Sequence, residues 1–94
     1  MVEKIHKPGV NKGDVLIYAL STCIWCRKTR KLLDEIGVEY VVIEVDQINN
    51  ADEKAAIHKE VEKWNPDCSY PTIVINKKEC ITGFDEEKIR KVLA

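Results

Sequence analysis

The fold of this 94-residue chain is decided by the stretch Val15-Leu16-Ile17-Tyr18-Ala19-Leu20-Ser21-Thr22-Cys23-Ile24-Trp25-Cys26. Its first six residues are continuously apolar and rich in β-formers, which is typical of a strand buried on both faces. The hydroxyls of Ser21 and Thr22 suit a helix start, and apolar residues at helical spacing follow until Gly37 supplies a stop. The stretch therefore predicts a central strand that leads directly into a helix over about residues 24–36.

The rest of the chain continues the alternation of strands and helices and predicts an α/β fold in the order βαβαββα. A strand, a helix and a second strand in succession form a unit with parallel strands and a right-handed crossover. Two short β-rich runs joined by a polar link then suit an antiparallel hairpin. We expect a four-stranded mixed sheet flanked by three helices. The later elements are expected at residues 40–45 (strand), 50–65 (helix, with Asn50 and Glu53 as a capping box), 72–75 and 79–82 (hairpin strands) and 85–93 (helix).

Length, composition and charge bound the function. Hydrophobic residues make up 45% of the chain and charged residues 33%, which is ordinary for one soluble domain. Residues 1–13, with Pro8, Gly9 and Gly13, are expected to be an N-terminal extension with at most a short edge strand, and residues 14–94 the domain. The net charge of -1 gives no reason to expect nucleic acid or an anionic membrane as partner. No apolar leader or bilayer-length run is present, so we expect a cytoplasmic monomer.

The pair Cys23 and Cys26 is the strongest chemical signal. In a reducing cytosol, four cysteines are better explained by a catalytic or metal-binding pair than by structural disulfides. At a strand-to-helix junction, Cys23 lies near the helix N-cap and Cys26 one turn later on the same face, so their sulfurs can bond. Free amides and the helix dipole favour a thiolate at Cys23. We predict that Cys23 attacks a substrate disulfide and that Cys26 resolves the mixed disulfide.

The alternative for this pair is a zinc site. Four ligands would require Cys68 and Cys80, or His6 and His58, and none of these supplies a second close-spaced pair. We therefore predict no metal at the pair. Cys68 and Cys80 are expected to be packing residues, with a secondary redox role for Cys68 as the alternative. Neither histidine is expected to act as a catalytic base.

Three segments, residues 18–26, 70–75 and 81–85, together resemble the glutaredoxins of the thioredoxin-fold superfamily. The resemblance runs from Asp14 to Leu93 and implies a thioredoxin-like fold and a thiol–disulfide oxidoreductase that works through a reversible Cys23–Cys26 disulfide. It also implies a cis proline at Pro71 beside that disulfide, whereas base rates alone favour a trans bond. The predicted substrate-binding residues are Thr22, Trp25, Tyr70, Pro71, Gly83, Phe84 and Asp85.

Departures from the family pattern concern the electron donor. Leu20 stands where glutathione-dependent members usually have a lysine, and Ile24-Trp25 stands in place of Pro-Tyr. The single glycine of Thr82-Gly83-Phe84-Asp85 is more similar to the glutaredoxin-like redoxins that serve ribonucleotide reductase. The resemblance thus implies protein disulfide substrates, ribonucleotide reductase among them, and a flavin- or ferredoxin-linked disulfide reductase as donor instead of glutathione. No cofactor beyond the redox-active disulfide is expected. The alternative, which is similar to some members of the family, is an iron–sulfur cluster held between two copies of the chain through Cys23 and external thiols.

Two features near the pair, Trp25 and a group of basic residues, each allow two interpretations. Trp25 is predicted to contact substrate, and the alternative is that it anchors the helix in the core. The basic residues Arg27, Lys28, Arg30 and Lys31 form either a docking surface for an acidic partner or an ordinary solvated helix face.

Overall fold

The computed structural model describes residues 4–94, which contain five strands and three α-helices. Residues 1–3 of the predicted extension lie outside the described residues. A short 3-10 helix, Val45–Gln47, follows the third strand. The strands are β1 (Ile5–Lys7), β2 (Val15–Ala19), β3 (Tyr40–Glu44), β4 (Thr72–Ile75) and β5 (Glu79–Thr82), and the helices are α1 (Ile24–Ile36), α2 (Ala51–Trp64) and α3 (Glu86–Leu93).

The strands form one mixed sheet in the order β1-β3-β2-β4-β5. Strand β2 is central, as its apolar run predicts, and is parallel to β3 and antiparallel to β4. The sheet has five strands and not four, because the short edge strand allowed for residues 1–13 forms as β1, which is antiparallel to β3 with Ile5 opposite Val42. A strand of three residues is too short to show a period of two, so its sequence gives little signal.

Alternation along β2 divides the core into two layers. Val15, Ile17 and Ala19 point to the cluster that includes residues of α1 and α3, whereas Tyr18 points to the cluster that includes residues of α2. The sheet is therefore covered on both faces, which is the arrangement expected when a central strand is apolar without interruption. The fully buried helix residues include Leu33 and Ile89 on one face of the sheet and Val61 on the other.

The ends of the helices follow their capping residues. Helix α1 is capped by Cys23, and not by the hydroxyl of Ser21 or Thr22 as expected. Helix α1 ends at Gly37, which adopts a left-handed backbone (φ 81) and donates its N–H to Leu33 O at 2.9 Å. The predicted caps of the other two helices are confirmed: Asn50 accepts from the N–H groups of Asp52 and Glu53, and Asp85 from that of Lys88.

The segment between β1 and β2 also lies against the sheet. Val10 forms an isolated parallel bridge with Val38, through hydrogen bonds with Gly37 O and Glu39 N at 2.8 and 2.9 Å. Gly9 passes so close to this backbone that an added Cβ would lie 2.7 Å from Gly37 O. A side chain at residue 9 would therefore push the segment off the sheet.

Candidate active site

The end of β2 and the start of α1 hold the two cysteines together. Cys23 N–H donates to Leu20 O at 3.2 Å, which closes the turn after the strand, and Arg27 N–H donates to Cys23 O at 3.1 Å. The first helical turn then brings the N–H of Cys26 to within 3.3 Å of Cys23 Sγ, so the sulfur accepts a hydrogen bond. Cys23 Sγ therefore occupies the N-cap of α1, at the positive end of the helix dipole.

The two thiols lie in different environments. Cys23 is partly exposed, whereas the side chain of Cys26 is 1% exposed and belongs to the core. Burial raises the pKa of the Cys26 thiol from 9.0 to about 12, and the hydrogen bond with the Cys23 side chain acts in the same direction. The outer sulfur is therefore reachable by a second molecule, while the inner one stays protonated until Cys23 has reacted.

The peptide bond between Tyr70 and Pro71 is cis, as the family resemblance implies. It places the carbonyl of Tyr70 opposite the dithiol, where it accepts a hydrogen bond from the Cys23 thiol at 3.9 Å. Burial is the main cause that raises the pKa of Tyr70, with the charges of Cys68, Cys26 and Asp46 contributing. Tyr70 and Pro71, which are distant from the dithiol in sequence, thus line one side of Cys23.

The exposed Trp25 and the partly buried Phe84 form an aromatic surface next to Tyr70 and Pro71. Gly83, in a left-handed conformation (φ 74), donates its N–H to Pro71 O at 2.8 Å and so joins the third predicted segment to the second. Phe84 follows and stacks on Trp25 with ring centroids 5.9 Å apart. Trp25 is 51% exposed, so it does not anchor α1 in the core. Lys28 Nζ lies 4.6 Å from the centre of its indole ring.

The other two predicted substrate-binding residues, Thr22 and Asp85, each lie just before a helix. Thr22 is exposed in the turn before Cys23, and Asp85 serves as the cap of α3. Cys68 and Cys80 are both partly buried, and burial raises the pKa of the Cys80 thiol. Within residues 4–94, no third metal-ligating side chain groups with the dithiol.

Sequence reasoning missed a polar contact behind the turn. The carboxylate of Asp46 accepts hydrogen bonds from Ser21 N–H at 2.9 Å and from the Ser21 hydroxyl, and Gln47 Nε2 donates to Ser21 Oγ at 3.1 Å. Desolvation would raise the pKa of Asp46, but these hydrogen bonds outweigh it and lower that pKa. The signal lay in the parallel pairing of β2 and β3, which brings the polar residues after their carboxyl ends to one edge of the sheet.

Comparison with known proteins agrees with this geometry. The sequence model of the glutaredoxin family matches residues 15–80. The glutaredoxin of Ricinus communis is 29% identical over 79 residues, which are 84% of this chain and 74% of that protein. The crystal structure of a Methanosarcina mazei glutaredoxin superposes with a TM-score of 0.89, at 42% identity over 97% of this chain and 87% of that one.

A Methanosarcina acetivorans methanoredoxin superposes similarly, with a TM-score of 0.86 at 41% identity over 92% of this chain and 90% of that one. No helix among residues 4–94 is long and apolar enough to cross a bilayer. The family match covers most of the chain and includes the dithiol and the cis proline. The chain therefore belongs to the glutaredoxin family, whose members are thioredoxin-fold thiol–disulfide oxidoreductases.

Proposed function

We propose that this protein reduces protein disulfides as a two-electron carrier and is itself re-reduced by a flavin- or ferredoxin-linked protein disulfide reductase instead of glutathione. The observation that carries the proposal is the difference between its two thiols. Cys23 is partly exposed and capped by an amide donor, whereas Cys26 is buried with a raised pKa. This difference supports Cys23 as the nucleophile and Cys26 as the resolving thiol.

The first step forms a mixed disulfide. The thiolate of Cys23 attacks one sulfur of a substrate disulfide, the Cys23–substrate S–S bond forms, and the other substrate sulfur leaves and takes up a proton. The N–H of Cys26 donates to Cys23 Sγ, the atom that carries the negative charge of the attacking thiolate. Tyr70 O is available beside Cys23 to a backbone N–H of the incoming chain once the Cys23 thiol no longer donates to it.

The second step releases the substrate. Cys26 loses its proton and attacks Cys23 Sγ, so the intramolecular disulfide forms while the second substrate sulfur leaves as a thiolate. The substrate has gained two electrons and the protein has lost them. A reductase that supplies two electrons and two protons restores the dithiol.

Partners of protein size are supported by the surface around the dithiol. Ile24 and Trp25 are 62% and 51% exposed, which is unusual for large apolar side chains on a soluble protein. Arg27, Lys28 and Lys31 are exposed beside them on α1, whereas Arg30 is partly buried and pairs with Glu44 at 3.7 Å. An apolar centre with a basic rim fits a partner with an acidic docking face, and reducing couples of the cytoplasm would keep the dithiol available.

Leu20 supports a donor other than glutathione. It is partly buried and packs against the cluster on the α2 side of the sheet, so position 20 offers no cation to a glutathione carboxylate. The test is the rate at which the oxidised protein is reduced by glutathione at physiological concentration, by thioredoxin reductase and by a ferredoxin-dependent reductase. We expect a protein reductase to be at least about tenfold faster than glutathione. Equal or faster reduction by glutathione alone would contradict the proposal.

A charge substitution at the same position sharpens this test. We expect Leu20→Lys to raise the rate of reduction by glutathione roughly two- to fivefold, since one exposed ion pair contributes up to about 1 kcal/mol. Leu20→Met, which keeps an apolar side chain of similar size, serves as the matched control. The same gain in both variants would show that charge at position 20 does not select the donor.

A further inference from the structure

A second group of reactive side chains lies away from the dithiol, at the end of α2. His58 and Glu62 are four residues apart on this helix and therefore lie on one face, and Cys68 lies in the loop that follows the helix. One ligand atom from each, a ring nitrogen, a carboxylate oxygen and the thiol sulfur, all lie within 4.8 Å of one another. No other three His, Cys, Asp or Glu side chains among residues 4–94 come together in this way.

The loop that presents Cys68 is fixed from beneath by Asn65. This residue is buried, and its Nδ2 donates to Ser69 O at 3.1 Å, to Ser69 Oγ at 2.8 Å and to Thr72 Oγ1 at 3.2 Å. Cys68 N–H donates in turn to Asn65 O at 2.8 Å. The position of Cys68 beside α2 is therefore set by the hydrogen bonds of a buried asparagine and does not depend on a bound ligand.

Cys68 also adopts a left-handed backbone conformation, with φ 52. A residue with a Cβ is disfavoured there by about 1–2 kcal/mol, and such conformations concentrate at functional positions. Among residues 4–94, no hydrogen bond or ion pair occupies the side chains of His58, Glu62 or Cys68. The three ligand atoms are thus available as well as close together.

We propose that His58, Glu62 and Cys68 form a divalent-metal site that takes Zn²⁺. Imidazole nitrogen, carboxylate oxygen and thiolate sulfur are all ligands that zinc accepts in tetrahedral geometry, and a water molecule would fill the fourth position. Tetrahedral zinc places its ligand atoms roughly 3.3 to 3.8 Å apart. The side chains of His58 and Glu62 are exposed and can close the remaining gap by rotation.

Binding would exchange a proton for a metal–sulfur bond. The Cys68 thiol releases its proton to solvent, the sulfur bonds to Zn²⁺, and no electron is transferred. One thiolate and one carboxylate balance the charge of the cation, and His58 binds as the neutral imidazole. The ion would join the last turn of α2 to the loop that leads into Tyr70 and Pro71, so one wall of the dithiol site would be tied to the helix.

Cobalt(II) alone is a suitable probe, because a Co²⁺–thiolate bond gives a near-ultraviolet charge-transfer band. The full chain carrying Cys23→Ser and Cys26→Ser keeps the redox thiols from competing, and the wild-type chain with its Cys23–Cys26 disulfide formed is a second background. We expect the band in both backgrounds, and Zn²⁺ should displace Co²⁺ and abolish it. Absence of the band in both would overturn the proposal.

Matched variants assign the ligands. Cys68→Ser should remove the charge-transfer band, and His58→Ala and Glu62→Gln should each weaken Zn²⁺ binding more than about tenfold by calorimetry. Cys80→Ser and His6→Ala replace residues of the same types elsewhere and should leave binding unchanged. A band that survives Cys68→Ser, or an equal loss in the two control variants, would contradict the assignment.

Discussion

At the scale of single residues, the chemistry rests on a difference between two identical side chains. Cys23 and Cys26 are three positions apart, but the turn of the helix places one at the surface and the other in the core. Their spacing and their order could be predicted from the sequence. The Asp46–Ser21 contact could be predicted only as far as the edge at which the two parallel strands end, because the sequence does not show which polar residues meet there. The cis bond at Pro71 was predictable only through the family resemblance.

The raised pKa of Cys26 predicts selective alkylation. Because its pKa is about 12, the Cys26 thiol stays protonated, and unreactive towards iodoacetamide, at a pH where exposed thiols ionise. At about pH 8 we expect peptide mapping by mass spectrometry to find label on Cys23 and almost none on Cys26. Protein unfolded in urea is the control and should be labelled at both positions. Equal labelling in the folded protein would contradict the assigned roles.

The same shift predicts how stability depends on alkaline pH. The folded-state pKa of Cys26 lies above its unfolded value of 9.0, so the folded protein holds this proton where the unfolded chain has lost it. The stabilising contribution of Cys26 to the free energy of unfolding is complete below about pH 9 and is lost as the pH rises towards 12. Chemical denaturation of the reduced protein should show the loss, and Cys26→Ser should show less of it. Burial raises the pKa of Tyr18 and Tyr40 as well. The wild-type protein and Cys26→Ser both contain these tyrosines, so the difference between the two proteins reports on Cys26.

At the scale of elements, three segments separated in sequence meet at one edge of the sheet. The first turn of α1 brings the dithiol, the residues before β4 bring Tyr70 and Pro71, and the turn after β5 brings Gly83 and Phe84. The bounds of α1 and of the hairpin strands agree with the sequence-based expectation because Gly37 and the polar link are strong stop signals. The cap of α1 differs because the helix begins at Ile24, so Cys23 and not Ser21 or Thr22 occupies the N-cap position. The Ser21 hydroxyl donates to Asp46 instead.

The aromatic surface gives a prediction about partner binding. Trp25→Ala removes the stacking with Phe84 and an exposed contact, so we expect KM for a protein reductase to rise roughly two- to tenfold, from about 0.5–1.5 kcal/mol. The melting temperature should change little, since Trp25 is 51% exposed and belongs to neither core cluster. Val10→Ala truncates another exposed apolar side chain, 61% exposed, and should leave KM unchanged. An unchanged KM in Trp25→Ala would exclude this surface from docking.

At the scale of the whole molecule, the active site depends on strands β2 to β5 more than on the edge strand β1. Among residues 4–94, strand β1 pairs only with β3, and it lies on the opposite edge of the sheet from β5. From the sequence it could be expected at most as a short edge strand within residues 1–13, because three residues with mixed polarity carry no period and the pairing depends on tertiary contacts. The division between an extension at residues 1–13 and a domain at 14–94 stays a prediction.

Truncation tests that division. Removing residues 1–7 deletes β1, the partly buried Ile5 and the His6–Glu39 contact at 2.8 Å. We therefore expect the free energy of unfolding to fall by about 1–2 kcal/mol. The rate of disulfide reduction should remain within about twofold, because no residue of the active site is removed. The full-length His6→Ala variant isolates the exposed contact and should change stability by under about 0.5 kcal/mol. Loss of activity from a truncated but folded protein would show that the site needs the edge strand.

The central claim is that Cys23 attacks and Cys26 resolves, and trapping of a mixed disulfide tests it most directly. The measurement is intact-mass spectrometry of Cys26→Ser mixed with an oxidised protein substrate, without glutathione, beside a turnover assay. The account predicts a stable adduct on Cys23 that dithiothreitol releases, no multiple turnover, and no lasting adduct with the wild-type protein. Cys23→Ser should form no adduct, and Cys80→Ser should behave as wild type. Turnover by Cys26→Ser at the wild-type rate, or an adduct on another cysteine, would contradict the account.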